Sequence, residues 1–136
     1  EKVKLLRSIR PMLEAGAWVI CDRFADSTLA YQGAGQGLAY ETWARLCDLT
    51  LEGLKPDLTL ILDLPVEAGL ARAAGRSAAD RYEKLGADFH ARIRAGFQDI
   101  ARREPTRCVV LDAARDAESV YATISATLRQ RLGAPL

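Results

Sequence analysis

LTLILDL, residues 58–64, is the stretch on which the fold turns. It is almost continuously apolar, too short for a typical helix, and bounded by Pro56 and Pro65. A run of that kind suits a strand buried on both faces, as in a parallel sheet. A second run, RCVVLDA (107–113), reads the same way, and AWVIC (17–21) is expected as a third strand. Helical spacing fills the intervals. In residues 2–15 the apolar positions are 3, 5, 6, 9, 12 and 13, with Pro11 inside the pattern and Gly16 as the stop. Residues 26–33 begin a further helix capped by Asp26 or Ser27, GAGQG (33–37) is a flexible break, and 40–54 is helical to about Gly53. Residues 66–74 are helical again. In 84–103 Leu85, Phe89, Ile93, Phe97 and Ile100 lie near one stripe, and a last helix starts at Asp116. Strands alternating with helices predict an α/β fold, a three-layer parallel sheet flanked by helices, in a single domain spanning 1–136.

Composition narrows the function. The chain has 136 residues, 49% hydrophobic and 27% charged, with 19 basic against 18 acidic residues. A net charge of +1 gives no general reason for binding nucleic acid or an anionic membrane. The distribution is uneven. Residues 48–70 carry Asp48, Glu52, Asp57, Asp63 and Glu67 against Lys55 alone, whereas 72–107 are mainly basic. A local basic segment in a neutral protein suits a small anionic ligand. Cys21, Cys47 and Cys108 are widely spaced, odd in number and without CxxC spacing, which argues against a disulfide framework or a zinc site. Cys21 and Cys108, within apolar runs, are expected as buried free thiols, and Cys47 as buried on its helix. A reducing cytoplasm fits. No stretch reaches transmembrane length. Trp18 and Trp43 are expected as core or interface anchors, and His90 as a helix-face residue.

Ligands of open α/β sheets gather where strands end. Asp22-Arg23, Asp63 and Asp112 each close an apolar run. An acid there can hold a metal through water or orient an arginine, and the fork of Arg23 matches a phosphate. An Asp-Arg salt bridge is the plainer reading of the same pair. In the helix that follows, Thr28 and Gln32 are four residues apart, as are Ser27 and Tyr31. The first pair suits hydrogen bonds to a planar heterocycle, and Tyr31 suits packing on a sugar. A cap and a solvated face explain the set equally well. RAAGRSAADR (72–81) puts three arginines in a small-residue stretch, either a solvated basic loop or a segment that closes over transferring phosphoryl groups.

Taken together, DRFADSTLAYQGAGQGL (22–38), PDLTLILDLPVEAGLARAAGR (56–76), DRYE (80–83) and VVLDA (109–113) resemble the bacterial form of thymidylate kinase, within the P-loop nucleoside monophosphate kinases. The resemblance implies transfer of the ATP γ-phosphoryl group to dTMP, giving dTDP, with Mg²⁺, in a cytoplasmic homodimer. By position it implies that Asp22 sits near the phosphates and holds the metal through water. Arg23 would bind the dTMP phosphate, Ser27 support the loop, Thr28 and Gln32 face thymine, and Tyr31 lie by the deoxyribose. Arg72, Arg76 and Arg81 would be catalytic arginines of a lid at 72–83. Arg72, Arg76, Asp112 and Ala113 would meet ATP.

The chain departs from the family where QGAGQG replaces a frequent QGGGRG, and at Ala74, where a further arginine is common. None of the ten glycines precedes a lysine, so no GxxxxGK[ST] is present. The chain also starts at Glu1 within a helical pattern. The N-terminal strands and P-loop are therefore expected outside it, leaving the C-terminal two thirds of the fold. The alternatives are a non-catalytic nucleotide-binding or dimerising domain, and a monophosphate kinase for another base.

Overall fold

A computed structural model describes residues 2–74 and 86–134. The chain divides into two compact units, 1–55 and 56–136.

The second unit carries the sheet. β1 (Thr59–Asp63) pairs in parallel with β2 (Cys108–Asp112), with Ile61 opposite Val110 and Asp63 opposite Asp112. Parallel strands need a crossover, and α4 (Val66–Ala74) and α5 (Ala87–Arg103) lie on that path. The predicted stripe of α5 is confirmed where it is described: Phe89, Ile93 and Ile100 are buried, together with Ile61, Cys108 and Leu111 of the strands. Leu85 lies outside the described residues. After β2 comes α6 (Ala117–Leu132). Asp116 caps it as expected, its carboxylate accepting from the Ser119 backbone at 2.9 Å. Gly133, at φ 64°, ends it in the left-handed conformation that a glycine adopts without penalty.

The first unit is helical. α1 (Lys2–Glu14) runs through Pro11 and ends at Gly16. There Gly16 donates to the Leu13 carbonyl and Ala17 to that of Met12, the paired bonds of a Schellman stop. α3 (Tyr40–Leu51) ends on Glu52, a non-glycine at φ 49°. Arg10 of α1 satisfies this end, donating to the carbonyls of Leu51 at 3.0 Å and Glu52 at 2.8 Å.

Three expectations for this unit fail. Residues 17–21 form no strand, because a strand exists only through ladder partners and none among the described residues pairs with them. Cys21 is consequently exposed rather than buried, Trp18 is exposed rather than an anchor in the core, and Ile20 is 96% exposed. The helix after Arg23 starts one residue early: α2 (Ala25–Thr28) has Phe24 at its cap, without a side-chain bond, and Asp26 is buried inside its first turn. Nor is GAGQG a loose break. Leu29–Ala34 is a π-helical turn, closed by Gly35 donating to the Ala30 carbonyl and followed by Leu38 donating to that of Gln32. Gly33 packs closely there: a Cβ would stand 3.0 Å from the end of the Leu29 side chain and 3.4 Å from the Leu38 carbonyl.

Candidate functional site

The residues of the 22–38 motif gather in the first unit. Arg23 has φ 63°, a conformation that side-chain-bearing residues rarely adopt and that costs roughly 1–3 kcal/mol. Its guanidinium carbon stands 5.3 Å from the centre of the Tyr31 ring, a cation–π contact between the bend and the π turn. Strain at a charged residue that is held against an aromatic ring marks a place where direction matters more than local stability. Asp22 is exposed beside it, Ser27 and Thr28 are half-buried on α2, and Tyr31 and Gln32 lie on the π turn. The i, i+4 relations read from an α-helical pattern are thus carried into a wider turn with i+5 bonds, a form frequent at functional sites. Fully buried Ala30 anchors this turn. Trp43 of α3 ties α2 down, donating from Nε1 to the Ala25 carbonyl at 3.0 Å.

The second unit gathers a different set. Arg72, near the end of α4, donates through Nη1 to the Ala113 carbonyl at 2.9 Å and through Nη2 to that of Ala114 at 3.1 Å. Asp112 accepts from the Ala114 backbone at 2.9 Å. Arg72, Asp112 and Ala113 are therefore neighbours. Arg76, Arg81 and the rest of the 72–83 segment beyond Ala74 lie outside the described residues.

Asp63 resolves the choice left open for strand-end acids. It orients an arginine: Arg94 of α5 meets both of its oxygens at 2.8 Å, and Gln98 reaches one at 3.4 Å. The Arg94 hydrogen bond holds the Asp63 carboxyl below its ordinary value, against the opposing pull of desolvation. Sequence reasoning missed Arg94 and Gln98. Their i, i+4 spacing was visible, but not which strand end their face would meet. Among the described residues, no three His, Cys, Asp or Glu side chains form a metal cage, and no helix is long and apolar enough to cross a membrane.

Known proteins give this arrangement its context. The family model for thymidylate kinase matches residues 2–124. A curated thymidylate kinase of Caulobacter vibrioides is 56% identical over 93% of this chain, and one of Pseudomonas putida 51% identical over 91%. This chain spans 61% and 60% of their respective lengths. Among solved structures, a thymidylate kinase from Ehrlichia chaffeensis superposes with a TM-score of 0.71 at 34% identity, over 94% of this chain and 59% of that one. A family match over nearly the whole chain, with that structural agreement, shows that the chain belongs to the thymidylate kinase family.

Proposed function

We propose that the protein phosphorylates dTMP to dTDP with ATP. The observation that carries this reading is Arg23, held at φ 63° with its guanidinium over the Tyr31 ring. A planar fork suits the dTMP phosphate. Thr28 and Gln32 then serve thymine, Tyr31 the deoxyribose, and Ser27 the shape of the loop. In the transfer a phosphate oxygen of dTMP forms the new bond to the γ-phosphorus. The bond from that phosphorus to the β,γ-bridging oxygen breaks, and ADP leaves. The phosphate nucleophile is already anionic, so these side chains act by positioning and charge compensation. Arg72, Arg76 and Arg81 serve the ATP side together with Asp112 and Ala113.

Magnesium supplies further neutralisation of phosphate charge, and Asp22 is the residue suited to hold it through water. One exposed carboxylate, with no three-ligand cage among the described residues, would fit an ion held mainly by substrate phosphates and water. The amides and lysine of a P-loop are not among these 136 residues, so the proposed activity requires them from elsewhere.

A homodimer in the cytoplasm completes the proposal. Met12 of α1 and Leu46 and Leu49 of α3 are exposed apolar residues suited to a helical interface. Three free cysteines fit a reducing compartment. The direct test is a coupled ADP-release assay on the whole protein with ATP and Mg²⁺. Turnover should depend on dTMP and prefer it to dUMP. ATP turnover indifferent to dTMP would contradict the reading.

A further inference from the structure

Arg72 carries an inference beyond a general place on the ATP side. Both terminal nitrogens of its fork are directed at carbonyl oxygens, those of Ala113 and Ala114. Two of its five N–H donors are thereby engaged by the turn. The turn it grips is held from other sides as well. Ala113 donates to the Asp63 carbonyl at 2.8 Å, continuing the β1–β2 ladder by one bond. Ala114 donates to the Asp112 carboxylate at 2.9 Å, and Asp116 then caps α6. The backbone donors and acceptors of Ala113 and Ala114 thus all have partners within the chain, and the two acceptors share one guanidinium. In an exposed turn water could serve those carbonyls equally well. What the guanidinium adds is shape, because a rigid planar fork fixes the two peptide groups relative to each other and to α4.

We propose that Arg72 is a positioning residue for the phosphoryl donor: it clamps the Ala113 and Ala114 carbonyls and so holds the β2–α6 turn on the ATP side of the proposed site in one form. The ATP part rests on the kinase reading above; the clamp itself does not. Its action on catalysis runs through the turn rather than through contact with the transferring phosphoryl group.

The test joins amide hydrogen exchange with steady-state kinetics on the whole protein, wild type and Arg72→Ala. In the variant, exchange at Ala113 and Ala114 should rise by at least about tenfold, because the turn loses both guanidinium bonds. Exchange within Leu60–Leu62 and Val109–Leu111 should stay unchanged. The KM for ATP should rise by about five- to tenfold, that for dTMP should change by less than about twofold, and kcat should fall less than the ATP KM rises. Arg72→Lys, with a donor but no fork, should recover only part of the exchange protection. Unchanged exchange at the turn would overturn the clamp. A large loss of kcat with an unaltered ATP KM would overturn the positioning role in favour of direct contact with the reacting phosphates. Should strand exchange also rise in Arg72→Ala, the same readings are taken on Arg72→Lys. Wild-type protein without dTMP-dependent turnover would refute the kinase reading, while the exchange measurement would still decide the clamp.

Discussion

The two units use apolar sequence in opposite ways. In the second, LILD of β1 and VVLD of β2 find each other, and the α5 stripe closes over them with Ile93 and Ile100 almost fully buried. In the first, the equally apolar AWVI meets no strand partner among the described residues and leaves Ile20 almost fully exposed. What holds the first unit is local hydrogen bonding: the Gly16 stop, Arg10 on the end of α3, Trp43 on Ala25, and the i+5 bonds of the π turn. Apolar pattern states a capacity for burial; neighbours decide whether it is realised. The proposed recognition residues sit in the hydrogen-bonded unit, where the strained Arg23 is held against Tyr31.

Breaking the core of the second unit should have the largest effect on stability. Ile100→Ala removes a side chain only 4% exposed and should cost about 2–5 kcal/mol, read by denaturant unfolding. A cost below about 1 kcal/mol would mean that α5 is not the lid of this sheet.

Next comes Arg23, where function and stability should separate. Arg23→Ala should weaken dTMP binding by about a hundredfold, since a phosphate loses its forked partner. Arg23→Gly should lose affinity equally yet be no less stable than Arg23→Ala, because glycine relieves the left-handed backbone. Unchanged dTMP affinity in either variant would contradict the assignment.

Smaller effects sharpen the contrast. Gly33→Ala should cost the π turn no more than about 1 kcal/mol, because the added methyl presses chiefly on the movable end of Leu29. Trp43→Phe should cost about 1 kcal/mol through the bond lost to Ala25. An unfolding midpoint unmoved by Trp43→Phe would show that the bond to Ala25 holds nothing.

The subtlest effect is that of pH. The folded carboxyl of Asp63 titrates below its unfolded value, chiefly through Arg94, so its contribution is present above pH ~4 and is lost as pH falls through the folded value. Asp116, held low by the Ser119 hydroxyl and amide, acts in the same sense. Acid unfolding of Asp63→Asn should therefore be shallower below pH ~4 than that of the wild type. Identical acid limbs would deny the Arg94 pair a role in stability.

In the second unit the positions of both strands, the α5 stripe and the Asp116 cap were legible, because they depend on period and on local capping chemistry that the chain displays directly. Burial of the strands on both faces was expected and is not found: Leu62 and Val110 are exposed, since one face of the pair is left uncovered by the described elements. The first unit was legible in its chemistry and less so in its form. Asp22, Arg23, Ser27, Thr28, Tyr31 and Gln32 were identifiable as a polar set, and Arg23 does meet Tyr31. The π turn, the burial of Asp26 and the exposure of Ile20 were not identifiable. The first depends on one extra residue within a helical turn, and the other two on which neighbours are present. Arg94 and Gln98 escaped for a related reason: a helix face shows its spacing in sequence but not the strand end it will cover.

The central claim is that the 22–38 loop reads a pyrimidine monophosphate. Calorimetric titration of the whole protein with dTMP and, separately, dGMP tests it most directly. Saturable binding of dTMP, with binding of dGMP weaker by about a hundredfold or more, is the predicted result. Equal affinity for the purine, or no binding of dTMP, would contradict the roles given to Thr28 and Gln32 and the account built on them.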